Sequence, residues 1–304
     1  MPEPEAKIDL YGDWIEHMRC ELTRLRLRNV PGIPKDAKEQ LRIALLFFRF
    51  ARRRIQPRVR AVVRAKEFTC PEEHRAVVER IASASEAGED LLPYLSTKTT
   101  SATTNDVFLA DWGFHHLHLG SVRRDDGFVE RTGPVLLVRV MDSAIAFIDV
   151  RQHGNGQPWG HQDLVQILHD NWPESIERFA LRGILPGRQL TDDEVRHARA
   201  AGIQVPIAVR DGTVYAGIGG GVTTSRDNIQ DVGFHDWLAS RLADLENDIR
   251  RQQIAIVDQL REHGKSPGSP PTFQLVFEGG KAYIAEEATR TGFYPLSNFW
   301  DGEF

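Results

Sequence analysis

Val135-Leu136-Leu137-Val138-Arg139-Val140-Met141-Asp142-Ser143-Ala144-Ile145-Ala146-Phe147-Ile148-Asp149-Val150 decides the fold class. Two β-branched, apolar runs, Val135 to Val140 and Ile145 to Val150, are parted by Met141-Asp142-Ser143. They lie close enough to pair as a hairpin. Side chains alternate faces along a strand, so Leu137 and Arg139 are expected on one face, and Phe147, Asp149, Arg151 and His153 on one face of the partner. Upstream, Val107 to Leu119 reads as a third strand-like run. Within it, Asp111-Trp112-Gly113-Phe114-His115-His116-Leu117-His118-Leu119-Gly120 places three of the chain's 11 histidines in a short span. Alternation sets His116 and His118 with Phe114 on one side, and His115, Leu117 and Leu119 on the other.

Away from this sheet the grammar is helical. Ile8 to Leu27 and Lys35 to Arg54 carry apolar residues at helical spacing, and a third helix is expected from Thr69, with Glu72 completing a capping-box pattern. Downstream, helices are expected at Gln162 to Asn171, from Pro173, and from Thr191 with Glu194 as its capping partner. Val205 to Arg210 and Thr213 to Ala216 flank Asp211-Gly212, a strong hairpin signal. A long helix follows from Phe234 to Glu262, striped by Leu238, Leu242, Leu245, Ile249, Ile256 and Leu260. Phe273 to Phe277 and Lys281 to Ala285 read as a last hairpin. The expectation is an α+β fold in three parts: a helical region over 1–96, a central antiparallel sheet with helices over 105–201, and a C-terminal α+β module over 203–304.

Composition narrows the class. The 304 residues are 41% hydrophobic and 27% charged, ordinary for a globular protein. No stretch approaches the roughly 18 apolar residues of a membrane span, so no membrane partner is expected. Met1-Pro2-Glu3-Pro4-Glu5 is acidic and lacks the basic and apolar regions of a secretory signal, which makes the cytoplasm the expected location. Cys20 and Cys70 fit no zinc or redox spacing. The formal charge is −5, yet Arg52, Arg53, Arg54, Arg58, Arg60, Arg64 and Lys66 follow one another without an acidic residue between them. Such a stripe holds phosphates, or else pairs with neighbouring helices.

Paired imidazoles near neutral pH serve proton transfer, phosphate contact or metal binding. With Arg139 and His153 in the same groove, His116 and His118 supply what cleavage of RNA by its own 2′-hydroxyl needs: a base, an acid, and cations on the phosphate. That reaction calls for no cofactor and no metal. A competing reading makes His-x-His a metal chelate, with His153, His161 or Asp149 as third ligand. His116-Leu117-His118 resembles the first half of a cupin motif and Pro158-Trp159-Gly160-His161 the second, but the glutamate expected after His118 is absent. Gly217-Ile218-Gly219-Gly220-Gly221 before a helix invites a phosphate-loop reading, although no lysine follows it.

The order of a strand ending His-x-His-Leu-Gly, strands 135–140 and 145–150, and His153 resembles the sheet of RelE-type and barnase-like ribonuclease toxins, over residues 106–171. That resemblance implies metal-independent RNA cleavage by scattered Arg, His, Lys or Tyr side chains. The Trp-Gly-x-His-His-Leu-His-Leu signature also resembles uncharacterised bacterial proteins, which brings no activity with it. The expectation is therefore an endoribonuclease of toxin or defence type: His116, His118, Arg139 and His153 are catalytic, and Arg52, Arg53, Arg54 and Arg58 bind RNA. A neutralising protein partner would accompany a toxin. The alternatives are a metal-binding enzyme on the His-x-His pair, or a non-catalytic binding or regulatory protein with structural histidines.

Overall fold

The computed structural model describes residues 4–152, 162–279 and 281–296. In chain order its elements are β1 (Lys7–Ile8), α1 (Leu10–Arg24), α2 (Ala37–Arg53), β2 (Ala61–Arg64), α3 (Glu72–Glu86), α4 (Val107–Trp112), β3 (His115–His118), β4 (Pro134–Val140), β5 (Ala144–Gln152), α5 (Asp163–Asn171), α6 (Asp192–Ala200), β6 (Ile207–Ala208), β7 (Val214–Tyr215), α7 (Ile229–Glu262), β8 (Thr272–Glu278), β9 (Lys281–Glu286) and β10 (Thr291–Leu296). The fold is α+β. Among the described residues no helix is long and apolar enough to cross a membrane.

The chain forms two compact units. Unit 1 joins Met1–Phe48 to Asp231–Phe304, and unit 2 is Arg49–Gln230. The linear division at 1–96, 105–201 and 203–304 does not follow this partition. Its N-terminal helices serve two different cores, because α1 and most of α2 belong with the C-terminal sheet, whereas α3 belongs with the central one.

Unit 1 is a sheet of order β1-β8-β9-β10, with β8 and β9 as an antiparallel hairpin and β1 added in parallel to β8. Its core takes Leu10, Trp14, Ile15 and Met18 from α1, Ile43, Ala44 and Phe48 from α2, Leu238, Leu242 and Ile249 from α7, and Phe273 and Ile284 from the sheet. The stripe read along α7 is thus the face that is buried.

Unit 2 is built on a sheet of order β2-β5-β4-β3. The β4–β5 hairpin and the β3–β4 pairing are antiparallel, but β2, inside the expected helical region, joins β5 in parallel and makes the sheet mixed. Both faces are covered. Val135, Leu137, Ala146 and Ile148 pack with Phe108, Trp112, Phe114 and with Leu164 and Leu168 of α5, whereas Leu136, Val138, Ile145 and Phe147 pack with Val77, Val78 and Ile81 of α3. Two covered faces explain why these strands read as continuous apolar runs.

Three local expectations are corrected. Val107 to Leu119 is not one strand: its first half is α4, and only His115–His118 is extended. The register shifts between Leu137 and Val138, so Leu137 pairs with Asp149 while Val138 pairs with Phe147. This bulge breaks the alternation that put Phe147 and Asp149 on one face. The Thr69–Glu72 capping box does not form. Helix α3 starts after Pro71, and Thr69 donates from its backbone N (3.3 Å) and Oγ1 (2.8 Å) to Asp149 Oδ1.

Candidate functional site: a cationic cleft around the histidine strand

Asp106 begins the site. Its Oδ1 accepts the backbone N–H of Leu109 at 3.0 Å and caps α4, and Gly113, at φ +72°, ends the helix in the left-handed conformation. The chain then turns directly into β3, which brings His116 back beside the cap: Nδ1 of His116 lies 4.0 Å from Oδ2 of Asp106. His116 and His118 stand on the face of β3 that carries Val135 and Leu137 of β4, with ring centroids 6.1 Å apart and planes at 83°.

The glycine-rich segment 217–221 holds α4 in place. Gly219 N–H donates to the Asp111 carbonyl (2.8 Å), and the Asn228 amide donates to the carbonyls of Ala110 and Gly219 (both 2.8 Å). A Cβ on Gly219 would sit 2.4 Å from the Leu109 oxygen and 2.5 Å from the Gly113 nitrogen. Close backbone packing accounts for Gly219, and positive φ for Gly220 and Gly221. A phosphate-binding loop is not needed to explain them.

Helix α6 supplies the facing wall. It is fixed by a complete capping box between Thr191 and Glu194, buries Val195, and presents Arg196 and Arg199. Between these elements lies a cleft of about 580 Å³. His115, His116 and His118 line it, with six other basic side chains, Arg53, Lys98, Arg131, Arg196, Arg199 and Arg226, against two acidic ones, Asp106 and Asp111. A surplus of positive charge in a concave site selects anions.

Burial tunes the histidines. His116 is held below its ordinary 6.5 mainly by loss of solvent, helped by the positive charges of Arg131 and Lys98 and opposed by Asp106. His115, on the other face of the strand, donates from Nε2 to the Arg52 carbonyl (3.0 Å), and burial drives its pKa to about 4. Its Nδ1 is buried without a hydrogen-bond partner among the described residues. Both rings are neutral at pH 7.

At the inner end, Asp111 Oδ2 meets Arg199 Nη1 at 2.9 Å, with only 3% and 9% of their side-chain surfaces accessible. Arg199 Cζ lies 3.9 Å from the centre of the Trp112 ring, a cation–π contact in a desolvated place. Burial raises the Asp111 pKa and lowers that of Arg199, each opposed by the other's charge.

The sequence-derived candidates divide. His116 and His118 come together in the cleft. Arg53 also lines it, but its guanidinium is turned to the carbonyls of Arg49 (3.1 Å), Lys98 (3.4 Å) and Ser101 (2.9 Å), and burial pushes its pKa down to about 10. Arg52, one residue earlier, lies in the last turn of α2. Arg54 pairs with Asp90 (3.1 Å), and Arg58 donates to the Asp142 carbonyl at 3.5 Å. The basic run is therefore no continuous stripe: it passes from helix to loop to strand. Arg139 does not line the cleft; it is buried and donates to the carbonyls of Ile218 (3.3 Å) and Ser175 (3.1 Å). His153 and His161 lie outside the described residues. Among the described residues, no three His, Cys, Asp or Glu side chains are grouped to hold a metal ion, and Asp149 is engaged by Thr69 and by Arg151 (3.0 Å).

Sequence reading missed Asp106, Asp111, Lys98, Arg131 and Arg199. The signal that marks Asp106 is a capping residue type with Gly113 seven positions on, at the two ends of a stretch read as strand. Arg199, 83 residues beyond His116 in the chain, carries no local signal. No family model, curated protein or solved structure matches the chain.

Proposed function

We propose that unit 2 cleaves RNA without a metal, by attack of a 2′-hydroxyl on its neighbouring phosphate in the cationic cleft. One observation carries this reading: His116, His118, Lys98 and Arg131 line one cleft, so two imidazoles and two cations able to hold a phosphate converge. His116, with Nδ1 turned to Asp106, takes the 2′ proton on Nε2. The 2′ oxygen bonds to phosphorus, the bond from phosphorus to the 5′ oxygen breaks, and that oxygen takes a proton from His118. Lys98 and Arg131 balance the charge that grows on the phosphate oxygens. The products are a 2′,3′-cyclic phosphate and a 5′-hydroxyl end. Solvent then returns the protons. Arg139 supports the fold in this scheme, and Asp106 takes the orienting role.

The test is an RNA oligonucleotide incubated with the purified chain in excess chelator, its ends analysed by mass spectrometry, beside the same sequence made of DNA. Cyclic-phosphate ends from the RNA and intact DNA are expected. Intact RNA, or cleavage of both polymers, contradicts the reading.

A further inference from the structure

The cleft has two chemically distinct ends. Toward solvent, the side chains of Lys98 and Arg226 are exposed and form no hydrogen bond or ion pair among the described residues, so this end offers net positive charge. At the inner end the charge of Arg199 is cancelled by Asp111 at 2.9 Å. What remains there is a planar guanidinium resting on Trp112, bordered by Phe108, with hydrogen-bonding groups and no net charge. A second oxyanion gains little beside Asp111. A flat neutral ring with acceptor atoms suits such a place, because it keeps the apolar contacts and is read by donors without a charge penalty.

The hydrogen-bond inventory of Arg199 points the same way. Nη2 donates to the Val205 carbonyl (3.2 Å), Nη1 meets Asp111 Oδ2 at 2.9 Å outside hydrogen-bonding geometry, and Nε is buried without an acceptor among the described residues. A buried donor without an acceptor is costly to the fold. A small shift of the guanidinium toward a ligand acceptor removes that cost. From these features we infer that the inner end, formed by Asp111, Trp112 and Arg199, is a nucleobase subsite, so that the cleft takes one nucleotide with its phosphate at the outer cations and its base at the Arg199–Asp111 pair. This deepens the RNA-cleavage reading and names the part of the substrate that it leaves open.

Calorimetric titration of the full chain with the four 2′-deoxynucleoside 3′-monophosphates, which lack the attacking hydroxyl, with ribose 5-phosphate and with inorganic phosphate tests it. At least one nucleotide is expected to bind tenfold or more tightly than ribose 5-phosphate. Arg199→Lys keeps the ion pair with Asp111 but loses the Nε–H and the planar fork; it should erase that preference and leave phosphate affinity within about threefold. If that variant does not fold, Arg199→Met combined with Asp111→Asn removes both charges together and should give the same loss. Equal binding of nucleotides and ribose 5-phosphate, no binding of any probe, or a preference that survives in the folded variants overturns the subsite. A base preference in a protein that leaves RNA intact supports the subsite and overturns the cleavage reading, so the two failures are separable.

Discussion

His116 is neutral at pH 7 because its enclosed ring loses more by giving up water than the Asp106 carboxylate returns. A base with a lowered pKa is active wherever it is unprotonated. For the proposed cleavage, with His116 as base, the acidic limb of the rate profile should therefore fall below pH 6.5, the ordinary value for the ring. Asp106→Asn keeps a good helix cap but removes the charge that raises His116, so it should move that limb to still lower pH; a limb that stays fixed means that Asp106 does not act on the base. His115 has a separate and structural consequence. Its folded pKa of about 4 lies below the ordinary 6.5, so the folded state favours the neutral ring. The stability it contributes is present above about pH 6.5 and is lost as the pH falls toward 4. The full shift corresponds to about 3 kcal/mol, and the accessible part of the ring trims this. His115→Gln should shrink the difference in unfolding free energy between pH 7.5 and pH 4.5 by about 1–3 kcal/mol, measured by urea denaturation.

At the scale of elements, the cleft depends on backbone packing that side-chain chemistry does not reveal. The Leu109 oxygen lies in the space a Gly219 side chain would need, and overpacking of this kind costs about 1–3 kcal/mol. Gly219→Ala should lower stability by that much; a neutral outcome would mean that the segment is not wedged against α4. Thr191→Ala breaks the capping box of α6 and should cost about 1 kcal/mol, with a larger loss of ligand affinity than an exposed substitution elsewhere, since α6 carries Arg199. The β4–β5 hairpin was legible because apolar runs flanked a short polar turn, and the facing of His116 and His118 followed from strand alternation. Helix α4 was not legible as a helix. Six residues, Val107–Trp112, are too few to show a helical period against a strand-like composition, and only Asp106 and Gly113 at its ends marked it. The bulge after Leu137 carries no sequence signature, so the faces assigned to Phe147 and Asp149 were wrong relative to each other.

At the scale of the whole molecule, each of the two units buries a group that answers acid in the opposite direction to the other's. In unit 2, His115 withdraws stability as the pH falls. In unit 1, burial raises Asp13 to about 6 from 3.8, although its carboxylate accepts the Leu275 N–H at 2.8 Å. The folded state there holds a proton that the unfolded chain releases, so the penalty present above pH 6 is relieved as the pH falls toward 4. Hydrogen exchange should show the amides around β8 gaining protection between pH 7.5 and 5 relative to Asp13→Asn, after correction for intrinsic exchange, while those of β3 and β4 lose it. Loss of protection in both units alike would contradict the assignment. The pairing of the first 48 residues with the C-terminal sheet was invisible to a reading that moved along the chain, because only the third dimension brings α1 and β8 together. The cleft was half legible for the same reason: the imidazoles share one strand, whereas Lys98, Arg131 and Arg199 arrive from three other segments.

The most direct test of the proposed cleavage site is whether the chain cuts RNA in excess chelator, and at what single-turnover rate, in the native protein and in His116→Ala at pH 7. Loss of the base should slow the native rate by about a hundredfold or more, with the circular dichroism of the fold unchanged. Equal rates in the two proteins, or no cleavage by the native chain, would contradict it.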